Sequence, residues 1–101
     1  MSKYNTEEGT IVDTSKAIKS WEEATYWNGS NHISQATGSQ WNHETLHKSS
    51  KGRYYIEGWS QWQGSTPGAE FVSDKDAAKW LLNNEHELPE DLAAHEGEIV
   101  E

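Results

Sequence analysis

Two strand-like runs, residues 41–48 and 53–60, flank Ser50-Lys51-Gly52, and this stretch constrains the fold more than any other. Glycine after two turn-tolerant residues suits a three-residue hairpin loop, in which a type I turn closes on a left-handed glycine. Such a loop pairs residue 49 with residue 53 and thereby fixes every later partner. Leu46 then faces Ile56, and Lys48 faces Tyr54. On the other side of the sheet His47 faces Tyr55, Thr45 faces Glu57, and His43 faces Trp59. A two-residue loop would instead mate Leu46 with Tyr55. A slip of one residue sends every side chain to the wrong face. The longer loop is preferred because it places like beside like across the strands.

The hairpin so registered has two different faces. Leu46, Tyr54 and Ile56 form an apolar face that expects a helix against it. Trp41, His43, Thr45, His47, Tyr55, Glu57 and Trp59 form an aromatic, amphipathic face. Tryptophan and tyrosine are enriched where binding energy concentrates. The candidate binding residues are therefore Trp41, His43, His47, Arg53, Tyr55, Trp59 and Trp62. Lys48, Lys51 and Arg53 gather a basic spot at the hairpin tip.

The remaining elements follow from punctuation and periodicity. Residues 1–9 read as a flexible N-terminus, and Thr10 to Asp13 as a short strand. Ala17, Ile18 and Trp21 stand at helical spacing after Ser15, which predicts a short helix over residues 14–23. Asn28-Gly29 is a strong turn signal and introduces a strand from His32 to Ala36. Gln63 to Gly68 has loop composition, and Ala69 to Val72 reads as a strand. Ser73, with Asp76 three residues on, signals a helix start. The stripe of Ala77, Ala78, Leu81 and Leu82, flanked by Trp80, carries that helix over residues 74–83, with Asn84 as its stop. Pro89 to Ala94 suits one further turn, and residues 95–101 read as an acidic disordered tail. The expected architecture is a single α+β domain over residues 10–94, with a three- to four-stranded antiparallel sheet centred on the 41–60 hairpin and packed on a C-terminal helix.

Composition bounds the function classes. A chain of 101 residues without cysteine builds one modest core and has neither disulfides nor thiolate metal sites. With one Phe and few aliphatic residues, most of the six tryptophans are expected to supply core volume. The net charge of −9 is concentrated late: residues 70–101 hold ten acids and two lysines. Such a balance disfavours general binding to phosphate backbones, so nucleic acid is an unlikely partner. The first residues lack a signal-peptide pattern, and no apolar run is long enough to span a membrane; a cytoplasmic protein is the expectation.

His43-Glu44-Thr45-Leu46-His47 matches the zinc-protease string His-Glu-x-x-His. That chemistry needs a helix, which brings the two histidines to about 6 Å on one face with the glutamate as base. On a strand the same spacing covers about 13 Å and turns the glutamate to the opposite face. Thr37-Gly38-Ser39 before the string and the hairpin loop after it favour the strand, so neither metal nor another cofactor is expected. Trp59-Ser60-Gln61-Trp62 matches a thrombospondin-repeat string, but those modules depend on disulfides.

The segments Ser39-Gln40-Trp41-x-His43-Glu44, Lys51-Gly52-Arg53-Tyr54-Tyr55, Trp59-Ser60-Gln61-Trp62-Gln63-Gly64-Ser65 and Asp76-Ala77-Ala78-x-Trp80-Leu81-Leu82 carry a further resemblance. Together with Leu46 they resemble a group of short uncharacterised bacterial proteins, some from plasmid or phage-related contexts, over residues 10–92. In that group an aromatic often stands where this chain has His47, which implies a strand position there. The resemblance implies the same architecture and supplies no activity. The expected function is non-catalytic binding of a protein partner through the aromatic face. The alternatives are a minimal zinc hydrolase using His43, Glu44 and His47, and an acidic mobile-element inhibitor of a nucleic-acid-handling host protein.

Overall fold

The computed structural model describes residues 3–38, 41–60 and 67–99. The expected α+β fold is present. Lys3–Asn5 (β1) and Ile11–Asp13 (β2) pair antiparallel as a ribbon. Lys19–Glu22 (β3), Asn42–Lys48 (β6), Tyr54–Ser60 (β7) and Gly68–Phe71 (β8) form an antiparallel sheet in the order β3-β6-β7-β8. Between β3 and β6, Thr25–Trp27 (β4) and His32–Ser34 (β5) make a second ribbon. The helix Asp74–Asn83 (α1) follows β8, and a short helix Glu96–Ile99 (α2) ends the described chain. None of the described helices is long and apolar enough to cross a membrane.

The central hairpin has the register read from its loop. Leu46 pairs with Ile56, His47 with Tyr55 and His43 with Trp59. Gly52 takes φ +87°, its N–H donates to the Ser49 carbonyl at 2.9 Å, and the Ser49 N–H donates to the Arg53 carbonyl at 2.7 Å. Those bonds are the type I turn and its left-handed closure. Asn28-Gly29 likewise makes a turn, with the Asn28 side chain accepting from the N–H groups of Ser30 and Asn31.

The core lies between the sheet and α1. Leu46, Tyr54 and Trp21 from the sheet meet Ala77, Ala78, Trp80 and Leu81 from the helix, with Leu92 closing the edge. Within the expected helical stripe, Trp80 is buried while Leu82 is only half-buried. Ser73 caps α1 by accepting from the Asp76 N–H at 3.1 Å. Lys48 turns to this side of the sheet, where it bonds Asp91 at 3.0 Å and lies over the Tyr54 ring. Asp91 also accepts from the Tyr54 hydroxyl at 2.8 Å.

Several expectations are corrected. The helix over residues 14–23 does not form. Asp13 accepts from the N–H and hydroxyl of Ser15 and caps a single 3-10 turn, Thr14–Lys16. Ala17 is extended, and Lys19–Glu22 takes the open edge of β6. Alternation then buries Trp21 against Leu46 and leaves Ile18 exposed. An edge already offering unpaired N–H and C=O groups outcompetes a short isolated helix, whose nucleation is costly. The strand from His32 stops at Ser34, where the Ser34 hydroxyl accepts from the N–H groups of Ala36 and Thr37 and starts a turn. At the chain ends, Lys3–Asn5 forms β1 and Glu96–Ile99 forms α2, where the sequence reads as flexible. Of the five described tryptophans, only Trp21 and Trp80 are buried. Trp62 and most of the loop before β8 lie outside the described residues.

Helix α1 ends at a polar joint. Asn84 is buried; its Nδ2 donates to the Trp80 carbonyl at 2.8 Å, and its Oδ1 accepts from the Ala24 N–H at 3.0 Å. Glu85 follows at φ +64°, the His86 N–H reaches the Leu81 carbonyl, and the Glu85 N–H reaches that of Leu82. This is a Schellman ending with glutamate where glycine is favoured. Glu85→Gly is therefore expected to raise unfolding stability by about 1 kcal/mol in urea titrations. Asn84→Ala, which orphans the Ala24 N–H, is expected to lower it by about 1–3 kcal/mol.

Candidate functional site

Strand alternation puts His43, Thr45 and His47 of β6 on the face away from α1, beside Tyr55, Glu57 and Trp59 of β7. The structure divides this aromatic face into a covered end and an open end. The β1–β2 ribbon lies over the covered end. Tyr55 is 1% exposed, His47 is buried beside it with the rings stacked, and Phe71 of β8 packs edge-on against Tyr55. The Tyr4 hydroxyl donates to Glu57 at 2.5 Å, which fastens the ribbon down. His47 and Tyr55 are therefore interior groups. They do not share an exposed surface with Trp41 and Trp59.

Polar groups under the ribbon form a chain. The Ser20 Oγ lies 2.6 Å from His47 Nδ1, and His47 Nε2 lies 2.9 Å from Glu57. A carboxylate only accepts, so Nε2 carries a hydrogen and, in the neutral ring, Nδ1 accepts from Ser20. Serine, histidine and carboxylate in series have the connectivity of a hydrolase triad. Hydrolysis also needs a substrate cleft and converging donors for an oxyanion. Ser20 lines neither of the two clefts at the ends of this face. The chain of bonds ties β3, β6 and β7 together beneath the ribbon.

At the open end Trp41 and Trp59 are each 39% exposed, and the His43 ring lies 5.8 Å from that of Trp59. A shallow cleft of about 470 Å³ is lined there by Thr37, Asn42, His43, Trp59 and Ser60, among others. Glu23, just past β3, reaches under it. One oxygen bonds His43 Nδ1 at 2.9 Å, and the other accepts from the Glu44 N–H at 2.5 Å. His43 Nδ1 therefore donates, and its buried Nε2 has no partner among the described residues. The result is an imidazole held in one orientation by a half-buried glutamate.

The zinc geometry is not present. His43 and His47 lie on a strand, each bonded to its own carboxylate. Glu44 points to the opposite face, where it accepts from Trp80 Nε1 at 3.1 Å. Among the described residues no three histidine or acidic side chains converge on a metal-sized site.

Beyond the covered end, Arg53 lies with its guanidinium 3.7 Å from the centre of the Phe71 ring and makes a two-nitrogen contact with Glu8. It borders a second cleft, of about 490 Å³, to which β1, β2 and the hairpin loop all contribute. Sequence reasoning names Trp41, His43, His47, Arg53, Tyr55 and Trp59, and the structure separates them. Trp41, His43 and Trp59 lie toward the open end, His47 and Tyr55 belong to the covered end, and Arg53 is exposed at the cleft beyond it. Missed were Ser20, Glu23, Lys3 and Lys16. Each is remote in sequence from the hairpin and arrives through strand pairing that only the fold reveals.

Burial raises the pKa of Glu44; the bond from Trp80 opposes this, while the nearby negative charges of Glu23 and Glu70 add to it. An acid raised on folding contributes stability below its unfolded pKa and loses it as pH rises through the folded one. Glu44→Gln stays neutral and can still accept from Trp80. Its melting temperature, followed by circular dichroism, is expected to exceed that of the parent near pH 7.5 and to equal it at about pH 3. No family model, curated protein or solved structure matches this chain.

Proposed function

We propose that this chain is a small non-catalytic interaction module that recognises a protein partner through the open end of its sheet, at Trp41, His43 and Trp59. The observation that carries this reading is the half-exposed Trp59 indole 5.8 Å from an imidazole held by Glu23, with half-exposed Trp41 just before the strand that carries that imidazole. Rigid aromatic side chains on paired strands lose little entropy on binding, and they are the groups that dominate binding hot spots. The net charge of −9 favours a partner with a basic surface, through steering of the encounter. The acidic stretch after α1 adds less than its sequence implies, because Asp91 is turned onto Tyr54 and Lys48.

The test is crosslinking capture from lysate of the producing cell, with partners identified by mass spectrometry. Trp41→Ala combined with Trp59→Ala is expected to reduce capture of a discrete partner by roughly tenfold or more. Trp27→Ala, on the β4–β5 ribbon and 60% exposed, is expected to leave capture intact. Equal capture by the double variant, or equal loss in the Trp27 variant, contradicts the reading.

A further inference from the structure

The chain is acidic, yet four of its eight lysines and arginines, Lys3, Lys16, Lys51 and Arg53, border one cleft of about 490 Å³. They come from three separate parts of the chain: β1, the 3-10 turn after β2, and the central hairpin loop. Tyr55 and Phe71 line the same cleft. Tyr55 is 1% exposed, and its buried hydroxyl has no hydrogen-bond partner among the described residues. A buried donor left unmade costs roughly 1–3 kcal/mol, so an orphan beside a cationic cleft invites an acceptor. Burial, first, and the nearby charges of Glu57 and Asp13 push the Tyr55 pKa up to about 12, so at neutral pH the hydroxyl keeps its proton and can donate.

We infer that this cleft is a binding site for a compact polyanion of the phosphate-ester class. Its volume falls within the range of small-molecule sites, about 300–1,000 Å³. Glu8 at Arg53 and Asp13 on the lining offset two of the four cations, and the remaining charge matches a doubly charged phosphate group. Arg53 is held over Phe71 and its two terminal nitrogens are engaged by the exposed Glu8 carboxylate, which a more highly charged phosphate group would displace. Asp13 is the acidic group on the lining, and its carboxylate is already engaged by Ser15. The site is distinct from the open tryptophan end and does not rest on the function proposed there.

Inorganic pyrophosphate, titrated into the whole chain by isothermal calorimetry and by amide NMR, tests the inference. Saturable binding that weakens with salt is expected, with the largest shifts at Lys51, Arg53 and Tyr55. Tyr55→Phe removes only the unpartnered hydroxyl, so the melting temperature should hold or rise. Pyrophosphate affinity should fall roughly tenfold, the worth of one hydrogen bond to a charged group. Lys16→Gln and Lys51→Gln should each weaken binding severalfold, and Lys75→Gln on α1 should not. The inference is overturned if pyrophosphate does not saturate at millimolar concentration, or if Tyr55→Phe binds as tightly as the parent. It is also overturned if Lys75→Gln weakens binding as much as Lys51→Gln, or if a short single-stranded oligonucleotide binds more tightly than pyrophosphate.

Discussion

The pairing of β6 with β7 is the constraint on which the rest of the structure depends. Gly52 in the left-handed region lets a three-residue loop close, and that loop fixes which residues oppose one another. The register sends Leu46, Tyr54 and Ile56 towards α1 and sends His43, His47, Tyr55, Glu57 and Trp59 the other way. A slip of one residue would put a histidine and a glutamate into the core and leave Leu46 in the polar layer. The edges β3 and β8, the helix and the β1–β2 ribbon all dock on a surface already determined by the hairpin.

Carboxylates organise the second face. Glu57 receives His47 from its own sheet and Tyr4 from the ribbon, while Glu23 receives His43 and a backbone N–H of β6. Histidines that form a zinc-protease string in sequence thus become two separate histidine–carboxylate pairs. The spacing that converges on a helix diverges on a strand, and the intervening glutamate leaves for the opposite side. What separates the two pairs in function is their cover, since the ribbon closes over His47 and stops short of His43.

The hairpin, its register, helix α1 and its serine cap were legible because each rests on local chemistry: a glycine turn, alternation, and an apolar stripe behind a capping residue. The edge strand β3 was not. Ala17, Ile18 and Trp21 fit a helical period by chance, and the edge of β6 that captures residues 19–22 is far away in sequence. The ribbon over Tyr55 was also hidden, because residues 1–9 are polar and carry little periodicity. Its effect on the site is large: it converts one continuous aromatic face into an open tryptophan end and a covered His47–Tyr55 end bordered by a cationic cleft. Arg53 was visible as part of a basic hairpin tip, but its partners at the cleft, Lys3 and Lys16, come from elsewhere. Lys48, its neighbour in sequence, turns to the opposite face to bond Asp91.

The central claim is this division of one sheet face into a covered and an open half. Hydroxyl-radical footprinting of the native chain, read by mass spectrometry, tests it directly. Trp41 and Trp59 are predicted to be labelled readily, whereas Tyr55 stays protected until the chain is unfolded by denaturant. Labelling of Tyr55 in the native state at a rate comparable to Trp59 would contradict the account.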